Sequence, residues 1–240
     1  MSVLICTTKK KYSNRGLLMN YDAQSTVVRS KSSVLATNKL LRNTYVLLAM
    51  TLAFSALTAG LSMAMNFPHL GLLTLVGYFG LLFLTTKLRN SVWGIVSVFA
   101  LTGFMGLTLG PMVNYYLSMP NGGQIVMQAL GGTGVIFLAL SAYAIKSEKD
   151  FSLMGGFLMV GILVGFLAAL GAFFFEMPGL ALAVSAMFVL LMSGLILYQT
   201  SEIIHGGETN YIMATVTLYV SIYNLFTSLL HLLGAFSGND

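Results

Sequence analysis

Long apolar runs alternate with short polar breaks along most of the chain. The runs are Thr44 to Met65, Leu70 to Thr86, Ser91 to Leu109, Gln124 to Ala144, Ser152 to Phe174, Gly179 to Tyr198 and Tyr211 to Leu233. A helix that crosses a bilayer needs about 20 mainly apolar residues, so the pattern predicts seven transmembrane helices. Barrel strands would alternate between lipid and lumen over about ten residues, and these runs do not alternate. The breaks carry turn chemistry, as in Asn66-Phe67-Pro68-His69, Pro120-Asn121-Gly122-Gly123, Glu176-Met177-Pro178 and His205-Gly206-Gly207.

Composition excludes a soluble fold. Hydrophobic residues make up 57% of the 240 and charged residues 8%, with a mean hydropathy of +0.85. A soluble domain carries about 25% charged residues. The expected fold is an all-α integral membrane protein, a bundle of seven helices over residues 44–240. Residues 1–43 differ: eight of the twelve basic residues lie there (Lys9, Lys10, Lys11, Arg15, Arg29, Lys31, Lys39, Arg42), among Ser, Thr and Asn. A mobile, basic cytoplasmic tail is expected of them. Val3 to Cys6 is too short an apolar core for a cleavable signal peptide. A single cysteine, Cys6, leaves no intramolecular disulfide to form.

Orientation follows from the remaining four basic residues. Lys87 and Arg89 fall in the second break, Lys146 and Lys149 in the fourth. Breaks one, three and five and the C-terminal end hold none. Odd and even breaks face opposite sides, so all twelve Lys and Arg share one side, which places the N-terminus in the cytoplasm and the C-terminus outside it. The pI near 9.3 then reflects residues beside anionic lipid headgroups and implies no nucleic-acid partner.

Three polar or small-residue patterns are candidates for function. Gly106 to Gly110 and Gly161 to Gly165 are G-x-x-x-G pairs, suited to close helix approach either inside the bundle or across a homodimer. Thr217, Ser221, Asn224, Ser228 and His231 keep one face of the seventh helix polar from end to end. Such a stripe serves interhelical hydrogen bonding or a hydrated path for a cation or proton. The junction after helix six holds Glu202, His205 and Glu208 with no Lys or Arg nearby in sequence. Of these only His205 has an ordinary pKa, about 6.5, in the physiological range, which makes the three a candidate pH-responsive cluster.

Catalytic and cofactor chemistry finds little support. Glu202 and His205 form one E-x-x-H pair where a carboxylate-bridged metal centre uses two. There is no H-E-x-x-H, no G-x-S-x-G and no phosphate loop ending in G-K-S/T. Neither an enzyme nor a bound metal or cofactor is expected.

Several stretches resemble the Bax inhibitor-1 (transmembrane BAX inhibitor motif) family. They are Gly94-Ile-Val-Ser97 with Gly103 and Gly110-Pro111, Ala129-Leu-Gly-Gly-Thr133-Gly-Val-Ile-Phe137, and Lys149-Asp-Phe-Ser-Leu-Met-Gly155-Gly156. The closing run, His205 to Ile212 and Ala214 to Phe226, is most similar to the bacterial YccA branch of that family. The resemblance covers roughly Leu35 to Phe236 and begins beyond Met19, so residues 1–18 are expected to be an extension from an upstream start. It implies a seven-helix fold in the bacterial inner membrane and a role as substrate and modulator of the membrane AAA protease FtsH. The alternative it implies is a cation leak, of calcium or protons. Leak members of the family resemble one another in two aspartates that share a proton as a latch. The matching positions here are Gln199 and Ser221, and neither ionises. A basic partner of that latch corresponds to Lys87.

Overall fold

The computed structural model describes residues 13–147 and 149–237, with side chains from Lys39 onward. Cys6 and Lys9 to Lys11 therefore lie outside the described residues. The chain divides into two compact units, residues 1–39 and 40–240. The described part of the first unit is helical. Among the described residues all seven elements are helices: α1 (Ser13–Ala64), α2 (Leu73–Leu88), α3 (Trp93–Leu117), α4 (Gly122–Ser147), α5 (Met154–Phe174), α6 (Pro178–His205) and α7 (Tyr211–Ser237). The helix that contains the first apolar run begins well before Thr44, because residues 13–43 include no proline and a single glycine, Gly16, to stop it.

Among the described residues six segments are long and apolar enough to cross a bilayer: Lys39–Ala64, and α3 to α7 in full. Helix α2 has 16 residues, about 24 Å at 1.5 Å per residue, which is short of a hydrocarbon core of about 30 Å.

Helix ends follow the turn chemistry of the breaks. Asn66, Glu176 and Gly206 hold left-handed φ angles of 49°, 49° and 80° just past α1, α5 and α6. In each case the next amide reaches back five residues, as from Gly207 to the Glu202 carbonyl at 2.9 Å. Helix α3 runs on to Leu117, eight residues past the expected end, with Pro111 inside it. Proline has no N–H, so the carbonyl four residues earlier loses its partner. That carbonyl, on Leu107, accepts a 2.6 Å bond from the Ser62 hydroxyl of α1. The freed backbone group is thus satisfied inside the bundle, as hydrocarbon surroundings demand.

Cross-links between helices sort the breaks into two ends. Asn210, in the sixth break, donates to the Arg89 carbonyl at 3.0 Å and to Asn90 at 2.9 Å in the second. Ser201, near the end of α6, bonds Lys149 and Phe151 of the fourth break. At the opposite end the Asn114 amide of α3 donates to Met63 O of α1 at 3.3 Å, and His231 of α7 meets Ser185 of α6 at 2.7 Å. Lys87, Arg89, Lys146 and Lys149 therefore share one end of the bundle.

Helix α7 is, together with α3, the most enclosed of the spans. It packs on α3, α4 and α6, and Leu218, Tyr219, Leu225 and Leu230 are almost fully buried. Helix α5 is at the edge, with Phe157, Met159 and Val160 largely exposed. In an aqueous protein such a patch would demand a partner; on a membrane helix it is the lipid face.

Candidate functional site

The polar contacts that tie α7 to α1 and α3 come from one row of side chains, Thr215, Tyr219 and Tyr223, four residues apart. Thr215 Oγ1 lies 3.3 Å from the Thr44 carbonyl of α1 and 2.7 Å from Tyr211 O of its own helix. The Tyr219 hydroxyl donates to Thr102 O of α3 at 3.3 Å. Its proton being used, the 2.6 Å contact with Ser55 is a donation from the serine. Thr108 gives its proton to Met105 O at 2.8 Å, so Tyr223 is the donor in their 3.2 Å bond.

Tyr219 and Tyr223 border a cavity of about 410 Å³ between α1, α3, α4 and α7. Its polar lining consists of the hydroxyls of Ser55, Thr133, Tyr219 and Tyr223; the rest is apolar, including Phe137 and Phe226. No acidic, basic or imidazole group lines it among the described residues. Thr133, like the other three, has spent its proton, on Ala129 O at 2.7 Å.

The stripe expected from the sequence lies two residues out of register with that row, about 200° round the helix. Ser221 is fully buried and gives its proton to Thr217 O at 2.7 Å, and Asn224 donates to Val220 O at 2.8 Å. Both bonds stay within α7, so they do not tie it to another helix. Ser228 is buried, and among the described residues His231 is the one of the five whose side chain hydrogen-bonds another helix, through Ser185. Gln199 is buried on α6 with its amide nitrogen unpartnered. No hydrogen bond joins Gln199 to Ser221 among the described residues. Lys87 is exposed in the last turn of α2.

At the basic end of the bundle, Ser201 organises the loop between α4 and α5. It is buried, donates to Lys149 O at 3.2 Å and accepts from the Phe151 amide at 3.0 Å. His205 Nδ1 lies 3.0 Å from Ser201 O and 3.2 Å from its Oγ. A carbonyl only accepts, so the imidazole carries its proton on Nδ1. Asp150 accepts from the Ser152 amide at 2.8 Å. That bond, the Ser152 hydroxyl and the nearby His205 hold its carboxyl below the usual range. The Glu202 carboxylate lies over Gly207, where a Cβ would strike it, while Glu208 Oε1 accepts from the amides of Thr209 and Asn210. Asn210 caps α7 by accepting from Ile212 and Met213 at 2.9 and 3.2 Å.

The four pattern glycines all face other helices of the same chain. A Cβ on Gly106 would meet Ser55 O and Thr58, and one on Gly110 would meet Ser62, all on α1. Gly161 lies against Leu191, and Gly165 against Met187 and Phe188, on α6.

Sequence reasoning missed Tyr219, Tyr223, Ser201 and Asn210. The tyrosines had a signal, their i, i+4 spacing, but an amphipathic ring counts as readily toward an apolar face. Asn210 just before an apolar run is a standard cap signal. Ser201 had none, since its partners lie about fifty residues away.

Comparison with known proteins agrees with this architecture. Residues 37–238 match the family model described as inhibitor of apoptosis-promoting Bax1. A Pseudomonas aeruginosa protein of uncharacterized role is 56% identical over 84% of this chain and 91% of its own. An Escherichia coli protein named modulator of FtsH protease YccA is 54% identical over 88% of this chain and 95% of its own. The same sequence match in another strain is named an inner membrane protein, and a Neisseria meningitidis relative is 34% identical over 85% of the chain and 93% of its own. The names of the family and of the Escherichia coli modulator are those of regulators. With a matched region that takes in α2 to α7 whole and the apolar part of α1, the chain belongs to the Bax1-inhibitor family of multi-pass membrane proteins.

Proposed function

We propose that the chain is a bacterial inner-membrane substrate and modulator of the membrane AAA protease FtsH, acting in membrane protein quality control. The observation that carries this reading is the 54% identity to the modulator of FtsH protease YccA, which extends over nearly the whole of both chains. In this reading residues 1–43 are a cytoplasmic handle and residues 44–240 a bundle that resists extraction. Bonds between helices from Tyr219 and Ser62, and between the second and sixth breaks from Asn210, support the second half. The placement of Lys87, Arg89, Lys146 and Lys149 at one end supports a cytoplasmic N-terminus and a periplasmic C-terminus. Residues 13–43 belong to α1; once a protease unwinds them, about 43 residues reach well over 100 Å as an extended chain.

The test is the lifetime of the protein in cells. Deleting Ser2 to Ser33 lengthens it where FtsH is present, leaves membrane insertion intact and changes nothing where FtsH is absent. The intact chain copurifies with FtsH. An unchanged lifetime together with no copurification refutes the reading.

A further inference from the structure

The cavity beside Tyr219 is open at its side. Ala56 and Gly60 of α1 and Leu130 of α4 line it and yet are exposed at the outer surface of the bundle. Gly60 and Gly134 face it from the two helices, and a Cβ at either would touch nothing within 4 Å. Both helices are of membrane-crossing length and apolar composition, so the gap between them opens onto hydrocarbon. We propose that the cavity takes one acyl chain of a bilayer phospholipid, which enters sideways between α1 and α4.

Size and chemistry both favour that occupant. At about 410 Å³ the space lies within the roughly 300–1,000 Å³ of small-molecule pockets. It is well above the roughly 150 Å³ apolar cavity that already stays dry and binds benzene. The hydroxyl protons of Ser55, Thr133, Tyr219 and Tyr223 are all committed to protein acceptors. An anionic headgroup thus finds no donor inside, and a cation finds no carboxylate. Water requires two to four polar partners to stay in a buried site, and here it meets an almost wholly apolar lining whose four hydroxyls have no proton left to donate. An empty space of this size forfeits dispersion contacts along its whole lining. A hydrocarbon chain restores those contacts without asking for any polar one. A gap bordered by two glycines admits a chain, whereas a partner's helix would only cover it from outside. The inference stands apart from the protease reading and can fail or succeed without it.

The experiment uses the full chain in vesicles of phosphatidylethanolamine and phosphatidylglycerol. A fraction of the phosphatidylethanolamine carries a diazirine midway along one acyl chain. After irradiation, peptide mass mapping finds adducts on Tyr223 and Phe226 inside the cavity as well as on Leu57 and Leu138 on the lipid face. The double variant Gly60→Phe with Gly134→Phe loses the cavity adducts and keeps the outer ones, which also report that it is folded. Gly134→Leu alone, a milder plug, lowers the cavity adducts in the same direction. Adducts confined to Leu57, Leu138 and other outward residues overturn the proposal, as do cavity adducts that neither plug diminishes. Labelling of the cavity by a free diazirine fatty acid but not by the phospholipid overturns the assigned source. A copurified transmembrane segment that shields Tyr223 and Phe226 while phospholipid leaves them unlabelled assigns the space to a protein partner instead.

Discussion

Changing Tyr219 to Phe removes one oxygen and one proton and leaves a ring of the same shape. Two contacts go with them: the 2.6 Å bond from Ser55 and the 3.3 Å donation to Thr102 O. The Thr102 carbonyl lies mid-helix and keeps its own amide partner, so the second loss is small. The Ser55 hydroxyl is left 5% exposed, beside an apolar cavity. An orphaned buried hydroxyl costs about 1–3 kcal/mol. A helical serine, however, has the carbonyl four residues earlier within reach, here that of Thr51. Interhelical polar contacts in membranes average about 0.6 kcal/mol, with a maximum near 1.7. Tyr219→Phe should therefore destabilise the bundle by about 1 kcal/mol. Ser55→Ala should cost less, because Tyr219 keeps Thr102 as its acceptor. The double variant should lie close to Tyr219→Phe alone, which gives a coupling of about 0.5–1 kcal/mol. Reversible unfolding in mixed micelles of rising dodecyl sulfate content, followed by the fluorescence of the sole tryptophan, Trp93, measures all four forms. If the two changes add to within about 0.3–0.5 kcal/mol, the bond does not link α1 to α7 as described.

Three further outcomes are expected. Gly106→Ala, which drives a Cβ into Ser55 O and Thr58, should cost about 1–3 kcal/mol in the same assay, whereas Gly60→Ala, facing open space, should stay within about 1 kcal/mol of the parent. The Asp150 carboxyl is held below its ordinary range, first by the Ser152 amide, so the stability it lends the loop is complete above the usual carboxylate range and is lost as pH falls through the lowered value. Protease nicking between α4 and α5 should accordingly rise on acidification, and Asp150→Asn should abolish that step. A reporter active only outside the cytoplasm should work after Asp240 and stay silent after Arg89; the reverse pattern would refute the orientation read from Lys and Arg.

The seven helices were legible because their signal is local: each apolar run is continuous, and each break carries its own Gly, Asn or Pro or, in the fourth, the charges of Lys146, Lys149 and Asp150. The placement of Lys87, Arg89, Lys146 and Lys149 at one end was legible for the same reason, since alternation follows from counting runs. Boundaries were less so. Helix α3 continues past Pro111 because Ser62, from another helix, satisfies the Leu107 carbonyl, and no inspection of residues 105–112 reveals that. The polar stripe of α7 was correctly seen as polar, but Ser221 and Asn224 turn out to bond their own helix. Of that stripe His231 alone, among the described residues, reaches another helix, through Ser185; the side-chain bonds from α7 to α1 and α3 come from Thr215, Tyr219 and Tyr223, and the rings of the two tyrosines hide their hydroxyls from a count of polar residues. The cavity and its side opening depend on Gly60 and Gly134 meeting across a gap. Each helix alone determines which of its residues share a face, because 3.6 residues per turn is a property of the backbone. Which face meets which neighbour, and where a space is left between them, depends on six other helices packing at once, and that is decided only when the whole bundle has closed.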